Sequence, residues 1–280
     1  MTTNFMKFFE PEKVLHCSEN SIIYKLKDGR IFKHINPVLI EMYGLVNESL
    51  ENKIVSDIDF SSVPELCVPE GVVYDSNYKF VGYTMGERKG MTLNEYRENL
   101  SYKELLDIRR FAEIFKKVED IVKRANKLGV VFPDLCTLDN IMIGNNNEIS
   151  MIDFDGMQIQ KYIALFMSSS LGEEERYFTP KYFDDKIKIF TSELDKSSLL
   201  VFLFLELFGV DITRVGQYYP SSGREVVWKD IFALTNIKDE VFQNMIMKTM
   251  SSNEQGCYFS DILFQLAERY NLEERNIGNT

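Results

Sequence analysis

The chain has 280 residues, of which 45% are hydrophobic and 27% are charged, and its net charge is -11. These values are typical of a globular protein with a sizeable core, and they exclude a disordered chain. The negative charge argues against a dedicated binder of nucleic acid or of an anionic membrane surface. The four cysteines have no paired spacing and no basic-then-apolar leader opens the chain, so we expect reduced thiols and a cytoplasmic location.

The first part of the chain has the pattern of a small antiparallel sheet. Runs rich in strand-forming residues at 14–16, 22–26 and 31–35 are separated by turn residues, which predicts a three-stranded meander. A second pair of runs, at 72–74 and 79–83, predicts a hairpin. Between the two, apolar residues from 37 to 58 recur at close to helical spacing and predict one helix.

After residue 86 the pattern changes to helices. The polar stretch 86–90 has a glycine at each end and is a linker candidate. Residues 102–128 have an apolar face and a charged face, and Gly129 is placed to end that helix. Residues 195–208 contain an apolar run without a polar face, which is typical of a buried helix. Further helices are predicted at residues 226–232, 239–250 and 260–270.

The most informative stretch runs from Asp134 to Asp153. Two short apolar runs flank residues 144–147, which predicts a tight β-hairpin. Asp134 and Asn140 precede the hairpin and Asp153 follows it, so three oxygen-bearing side chains are expected at one end. Hard oxygen ligands of this kind suit Mg²⁺ and the phosphate groups that accompany it.

In their order and spacing these motifs resemble those of the protein-kinase-like superfamily, over roughly residues 14–270. Lys33 resembles the strand lysine that grips the phosphates of ATP. Glu51 resembles the helix glutamate that holds this lysine, with Glu48 as a close rival. The resemblance is to the divergent serine/threonine-kinase-like members of the superfamily.

The resemblance also implies roles for the residues around the hairpin. Asp134 would orient the acceptor hydroxyl and take its proton, while Lys33 would orient the phosphates. Asn140 and Asp153 would hold Mg²⁺. The catalytic residues that the resemblance implies are Asp134, Lys33 and Asn140. The other implied nucleotide contacts lie in the loop over the phosphates and in the hinge: Ser18, Ser21, Met85, Gly86, Glu87 and Arg88. Residues 178–181 resemble the end of an activation segment.

The implied fold class is α+β, with two lobes. Residues 1–86 would form a small antiparallel-sheet lobe with one helix, and residues 87–280 a larger helical lobe. ATP and Mg²⁺ would bind in the cleft between them. The implied function is an ATP- and Mg-dependent phosphotransferase, most simply a protein serine/threonine kinase. Its partners would be ATP and a hydroxyl acceptor on a protein or a small molecule, with no nucleic acid and no membrane insertion.

Departures from the family pattern leave two alternatives open. Asp155 stands where the metal-binding segment usually has glycine, and Cys136 replaces a lysine of serine/threonine kinases. Both features favour a small-molecule kinase of the aminoglycoside or choline type. The loop at residues 17–22 has no glycine to let its backbone approach a phosphate, which favours a pseudokinase that binds nucleotide or a protein partner.

Overall fold

The structure is a computed structural model. It describes residues 2–5, 9–38, 50–101, 107–135, 137–162, 183–184, 189–192, 194–196, 198–199, 240–251, 259–265 and 267–268. Several predicted features lie outside these residues: Glu48, Cys136, residues 178–181, the helix at 226–232 and most of the helix at 195–208.

Six strands form the largest sheet described. They are β1 Thr2–Phe5, β2 Pro11–Cys17, β3 Ser21–Leu26, β4 Ile31–Ile35, β5 Pro69–Tyr74 and β6 Phe80–Met85. Their order across the sheet is β1-β5-β6-β4-β3-β2. β1 runs parallel to β5, and all other neighbours are antiparallel. The predicted meander and the predicted hairpin are both confirmed by these pairings.

Close contact between β4 and β6 depends on one glycine. Lys33 lies opposite Tyr83, and His34 lies opposite Gly82, which has a φ of +152°. A Cβ atom at Gly82 would lie 2.0 Å from the carbonyl oxygen of Lys33. Since no other residue fits there, Gly82 allows the two strands to pair at the position that carries Lys33.

The rest of the described chain contains three smaller sheets and three labelled α-helices. One sheet has three strands: β7 Met91–Thr92, β9 Ile141–Ile143 and β10 Ile149–Met151. The other two sheets are pairs of two-residue strands, β8 Val130–Val131 with β11 Gln158–Ile159 and β12 Phe183–Asp184 with β13 Ile189–Phe190. The helices are α1 Leu93–Glu98, α2 Ile108–Lys127 and α3 Glu240–Ser251. The predicted hairpin around residues 144–147 is confirmed by the antiparallel pairing of β9 with β10.

Helix α2 begins at Ile108, six residues after the predicted start at residue 102, and ends at Lys127, one residue before the predicted end. The Asp107 side chain accepts a hydrogen bond from the Arg110 N–H, which caps the first turn. Gly129, with a φ of +77°, follows the last turn and takes a left-handed conformation that glycine adopts without strain. The face that includes Phe115 and Val118 is fully buried in the main core, so packing holds the helix against the sheets.

The predicted fold class is wrong in its division into a small sheet lobe and a larger helical lobe. Within the described residues, strands β7 to β13 continue the β-structure well beyond residue 86. The main core joins Tyr83 of the large sheet to Val122 of α2 and Ile141 of β9. Two-residue strands are too short to leave a periodic signal in the sequence, and β7 and β8 form by pairing with distant segments. The boundary between residues 86 and 87 stays a prediction.

None of the helices in the described part of the chain is long and apolar enough to span a membrane.

Candidate functional site

A buried ion-pair cluster lies where β4 and β6 meet the turn after β10. The Lys33 ammonium donates a hydrogen bond of 2.7 Å to Oδ1 of Asp155, and it also contacts Oδ1 of Asp153. Tyr83 donates its hydroxyl to the same Asp155 oxygen at 2.5 Å. The Asp155 side chain is 1% exposed and the Lys33 side chain 8%. Lys33 is therefore held between two carboxylates and shielded from solvent.

The charges in this cluster stabilise one another. Burial alone would lower the pKa of Lys33, but the carboxylates of Asp153 and Asp155 raise that pKa above its ordinary value. Burial opposes ionisation of Asp155, yet the Lys33 ammonium and the Tyr83 hydroxyl hold the pKa of that carboxyl below its usual range. Burial and the neighbouring charge of Asp155 raise the pKa of Asp153. Asp155 is thus the fully buried carboxylate whose ionisation Lys33 favours.

A second lysine supports the turn from its other side. Lys53, in the helical residues 50–54, is completely buried. Its ammonium donates to the backbone carbonyl oxygens of Asp155 at 3.0 Å and Met157 at 2.7 Å, and lies 5.4 Å from the centre of the Phe154 ring. Burial lowers the pKa of Lys53 to about 8. With Lys33, Asp153 and Asp155 it completes a set of two positive and two negative charges.

The backbone of the turn explains why both aspartates reach Lys33. Asp153 has a φ of +69° and a ψ of +55°, a left-handed conformation that Asp tolerates better than most residues. A 3-10 turn, Phe154–Gly156, follows and is closed by a 2.9 Å hydrogen bond from the Gly156 N–H to the Asp153 carbonyl. A Cβ atom on Gly156 would lie 2.5 Å from an Asp153 carboxylate oxygen, so glycine leaves room for that side chain.

The structure brings into contact Asp134 and Asn140, two of the three side chains that the sequence placed at one end of the hairpin. The Asn140 amide donates to Oδ2 of Asp134 at 3.1 Å, and the Thr137 hydroxyl donates to Oδ1. Burial raises the pKa of Asp134 above its ordinary value. In the part of the chain that the structure describes, no group of three or more His, Cys, Asp or Glu side chains is arranged to hold a metal ion. Binding of ATP and Mg²⁺ stays a prediction.

Glu51 is not brought to Lys33. Its carboxylate accepts a hydrogen bond from the Tyr74 hydroxyl, while Lys53 points into the cluster. Residues two apart on a helix lie on different faces. Because Lys53 faces the cluster, Glu51 faces away from it. The ion pair between Lys33 and Glu51 expected from the sequence is therefore replaced by the pairs with Asp153 and Asp155.

The predicted phosphate-loop residues contact each other. The Ser18 hydroxyl accepts hydrogen bonds from the N–H groups of Asn20 and Ser21, at 3.3 and 3.2 Å, and lies 3.3 Å from the Ser21 carbonyl oxygen. This arrangement closes the turn between β2 and β3. Both serines therefore have a structural role in the turn whatever else they bind.

The predicted hinge residues are also engaged within the protein. Met85 is buried at the end of β6. Gly86 accepts a weak hydrogen bond from the buried Cys67 thiol at 3.6 Å, and Glu87 pairs with Lys25 at 2.9 Å. The Arg88 guanidinium donates to the backbone carbonyls of Pro64 and Leu66, each at 2.9 Å. The hinge segment is thus tied to the adjoining loop.

Helix α2 carries a local excess of positive charge. It contains seven basic and three acidic residues, whereas the chain as a whole has 32 basic and 43 acidic residues. At 100° per residue, Arg109, Lys116, Lys123 and Lys127 fall on one line along the helix, which we call the basic stripe. The stripe is about 27 Å long at 1.5 Å per residue.

Acidic neighbours hold two members of the basic stripe only loosely. Arg109 lies 4.0 Å from Glu113, and Lys116 lies 3.6 Å from Asp120, with all four side chains at least 41% exposed. Exposed pairs of this kind contribute about 0–1 kcal/mol each. Arg109 can therefore exchange its carboxylate partner for another anion at small energetic cost.

One curated protein is similar to about half of this chain. No family model matches the chain. A relative among curated proteins is the large ribosomal subunit protein bL25 of Borrelia hermsii (strain HS1 / DAH), which is 28% identical over 143 residues. The match covers 50% of this chain and 69% of the relative.

This similarity contradicts the protein-kinase-like assignment and what it implied. The predicted enzyme, a phosphotransferase acting on a protein or a small molecule, and its kinase and ATP-binding descriptors are not supported, because the relative is a ribosomal protein. The expectation of no nucleic-acid partner is contradicted for the same reason. The structure supplies a physical reason for the error: Lys33 is already neutralised by Asp153 and Asp155, whereas the resemblance treated it as available for phosphate.

Sequence reasoning missed two features of the described molecule. Lys53 and Tyr83 were not singled out, since neither belongs to a motif and each meets Asp155 across more than 70 positions of the chain. The basic stripe could have been found, because a seven-residue recurrence of Arg109, Lys116 and Lys123 is visible in the sequence. The net charge of the whole chain is negative and gives no indication of this local excess of basic residues.

Proposed function

We propose that this chain binds the large ribosomal subunit and contacts its RNA through the basic stripe of α2. The observation that carries the proposal is the similarity to the large ribosomal subunit protein bL25. The stripe supports it, because Lys and Arg side chains neutralise backbone phosphates without reading sequence.

A chain of net negative charge can bind RNA when it presents a positively charged face to the RNA. RNA repels the acidic remainder of the chain and attracts α2, so the field of the protein turns the stripe toward the RNA. The guanidinium of Arg109, in an exposed pair with Glu113, can then move from carboxylate to phosphate.

Co-sedimentation of the full chain with purified large ribosomal subunits, over a series of salt concentrations, tests the proposal. The informative variant carries Lys116→Glu, Lys123→Glu and Lys127→Glu. We expect it to lose most binding, and its slope of log affinity against log salt to fall by roughly 2–3, since each phosphate that a lysine neutralises contributes about 0.7–0.9 to that slope.

The matched control carries three charge reversals at exposed lysines away from α2, namely Lys13→Glu, Lys27→Glu and Lys79→Glu. It changes net charge by the same amount and should bind more strongly than the stripe variant. The proposal is refuted if the unmodified chain does not sediment with subunits at low salt, or if the two triple variants bind equally.

A further inference from the structure

A cavity of 760 Å³ opens on the surface at the C-terminal end of α2. One wall is formed by the loop that contains Asp57 and Asp59, and another by Lys127 with residues 160–162. Lys127 belongs both to this wall and to the basic stripe. A strand that follows the stripe toward the end of α2 therefore arrives at the mouth of the cavity.

The lining combines the groups that single-stranded RNA requires. Lys127 and Lys161 supply positive charge for a phosphate, and Tyr162 supplies an aromatic ring on which a base can stack. The Lys161 ammonium already lies 5.4 Å from the centre of the Tyr162 ring, which keeps charge and ring together. The volume is within the range of pockets that enclose a small ligand.

The two aspartates would repel a phosphate but suit the edge of a base. A carboxylate accepts hydrogen bonds from exocyclic amino groups, which adenine, cytosine and guanine have and uracil lacks. One oxygen of Asp59 accepts from the Ser61 N–H at 2.9 Å, and a carboxylate has capacity for further donors. The acidic wall thus favours amino-bearing bases.

The Tyr162 wall is held by the backbone. The Gln160 N–H donates to the Gly129 carbonyl at 2.7 Å, and Tyr162 and Ile159 exchange two backbone hydrogen bonds of 2.9 Å each. Gln160 has a φ of +52°, a left-handed conformation for a residue that seldom adopts one. The ring of Tyr162 is therefore presented on a fixed turn beside the end of α2.

We propose that this cavity takes one unpaired nucleotide with an amino-bearing base, stacked on Tyr162, from RNA that lies along the basic stripe. The inference rests on the proposed function, and it adds a base preference that a purely electrostatic contact does not have.

Fluorescence anisotropy with labelled single-stranded oligoadenylate, oligocytidylate and oligouridylate of equal length tests it on the full chain. We expect adenine and cytosine strands to bind more tightly than uracil strands. Tyr162→Leu should weaken binding of the adenine and cytosine strands about tenfold, as expected for the loss of one stacked base, and Tyr162→Phe should retain it.

A second variant, Asp57→Asn with Asp59→Asn, gives an independent readout if Tyr162→Leu does not fold. Removal of two negative charges should strengthen binding of all three oligonucleotides while erasing the preference over uracil. Unchanged preference in this variant overturns the inference, as does equal binding by Tyr162→Leu and the unmodified chain. In both cases loss of binding in the stripe variant would still support the proposed function. Absence of oligonucleotide binding by the unmodified chain overturns this inference alone, because co-sedimentation with subunits tests the proposed function separately.

Discussion

Replacing Lys33 by Met should lower the free energy of unfolding by about 3–5 kcal/mol, the range found when one member of a buried ion pair is removed. Met has nearly the volume of Lys, so no large cavity adds to the loss. What remains is Asp155, 1% exposed and without its counter-ion. Asp153 is also affected, but its side chain is 26% exposed, so it is less completely desolvated than Asp155.

This difference in exposure predicts unequal rescue of the Lys33→Met variant. Adding Asp155→Asn removes the charge that cannot be solvated and should recover about 1–3 kcal/mol, the usual coupling between residues in contact. Adding Asp153→Asn should recover less, because a partly exposed carboxylate suffers less from losing its partner. In the unmodified chain, Asp155→Asn alone should be destabilising.

Urea unfolding followed by circular dichroism at neutral and mildly acid pH measures these differences. In the unmodified chain Lys33 lowers the pKa of Asp155, so the stability it contributes is present above the ordinary Asp pKa and is lost as pH falls below it. Without Lys33, burial raises the pKa of Asp155, so the deficit of the variant should shrink as pH falls. A loss below about 1 kcal/mol, or equal rescue by the two Asn substitutions, would refute the reasoning.

Three further predictions concern stability. Burial lowers the pKa of Lys53 to about 8, so above that pH the unfolded chain binds more protons than the folded chain. The free energy of unfolding should therefore rise by about 2 kcal/mol between pH 8 and pH 10. Urea unfolding at a series of pH values should show this rise in the unmodified chain and not in Lys53→Met. The buried Glu119 carboxylate accepts hydrogen bonds from the Ser260 N–H and hydroxyl at 3.0 and 2.6 Å, so Glu119→Gln should cost about 1–3 kcal/mol by chemical denaturation, and no change would contradict this. Gly82→Ala would place a Cβ atom 2.0 Å from the Lys33 carbonyl and should lower the thermal unfolding midpoint by at least about 10 °C; an unchanged midpoint would show that the strands can separate locally.

Local elements were predictable because their causes are local. Turn residues bounded the strands of the meander, and apolar spacing identified α2 and the glycine that ends it. Which acidic side chain meets Lys33 was not predictable in this way. Asp155 lies more than 120 positions away, and only the left-handed turn at Asp153 brings both carboxylates to it.

The same limit explains how ordered motifs led to a function that the comparisons contradict. The order of Lys, Asp and Asn in a sequence shows which side chains are present. It does not show whether their charges are already neutralised by ion pairs inside the protein. In this structure the charges of the cluster around Lys33 balance within the core, so they contribute little to the field outside it. Helix α2, by contrast, carries seven basic and three acidic residues in a chain of net charge -11. A partner carrying negative charge would meet the molecule at that helix, and the buried cluster would serve to hold the sheet that supports it.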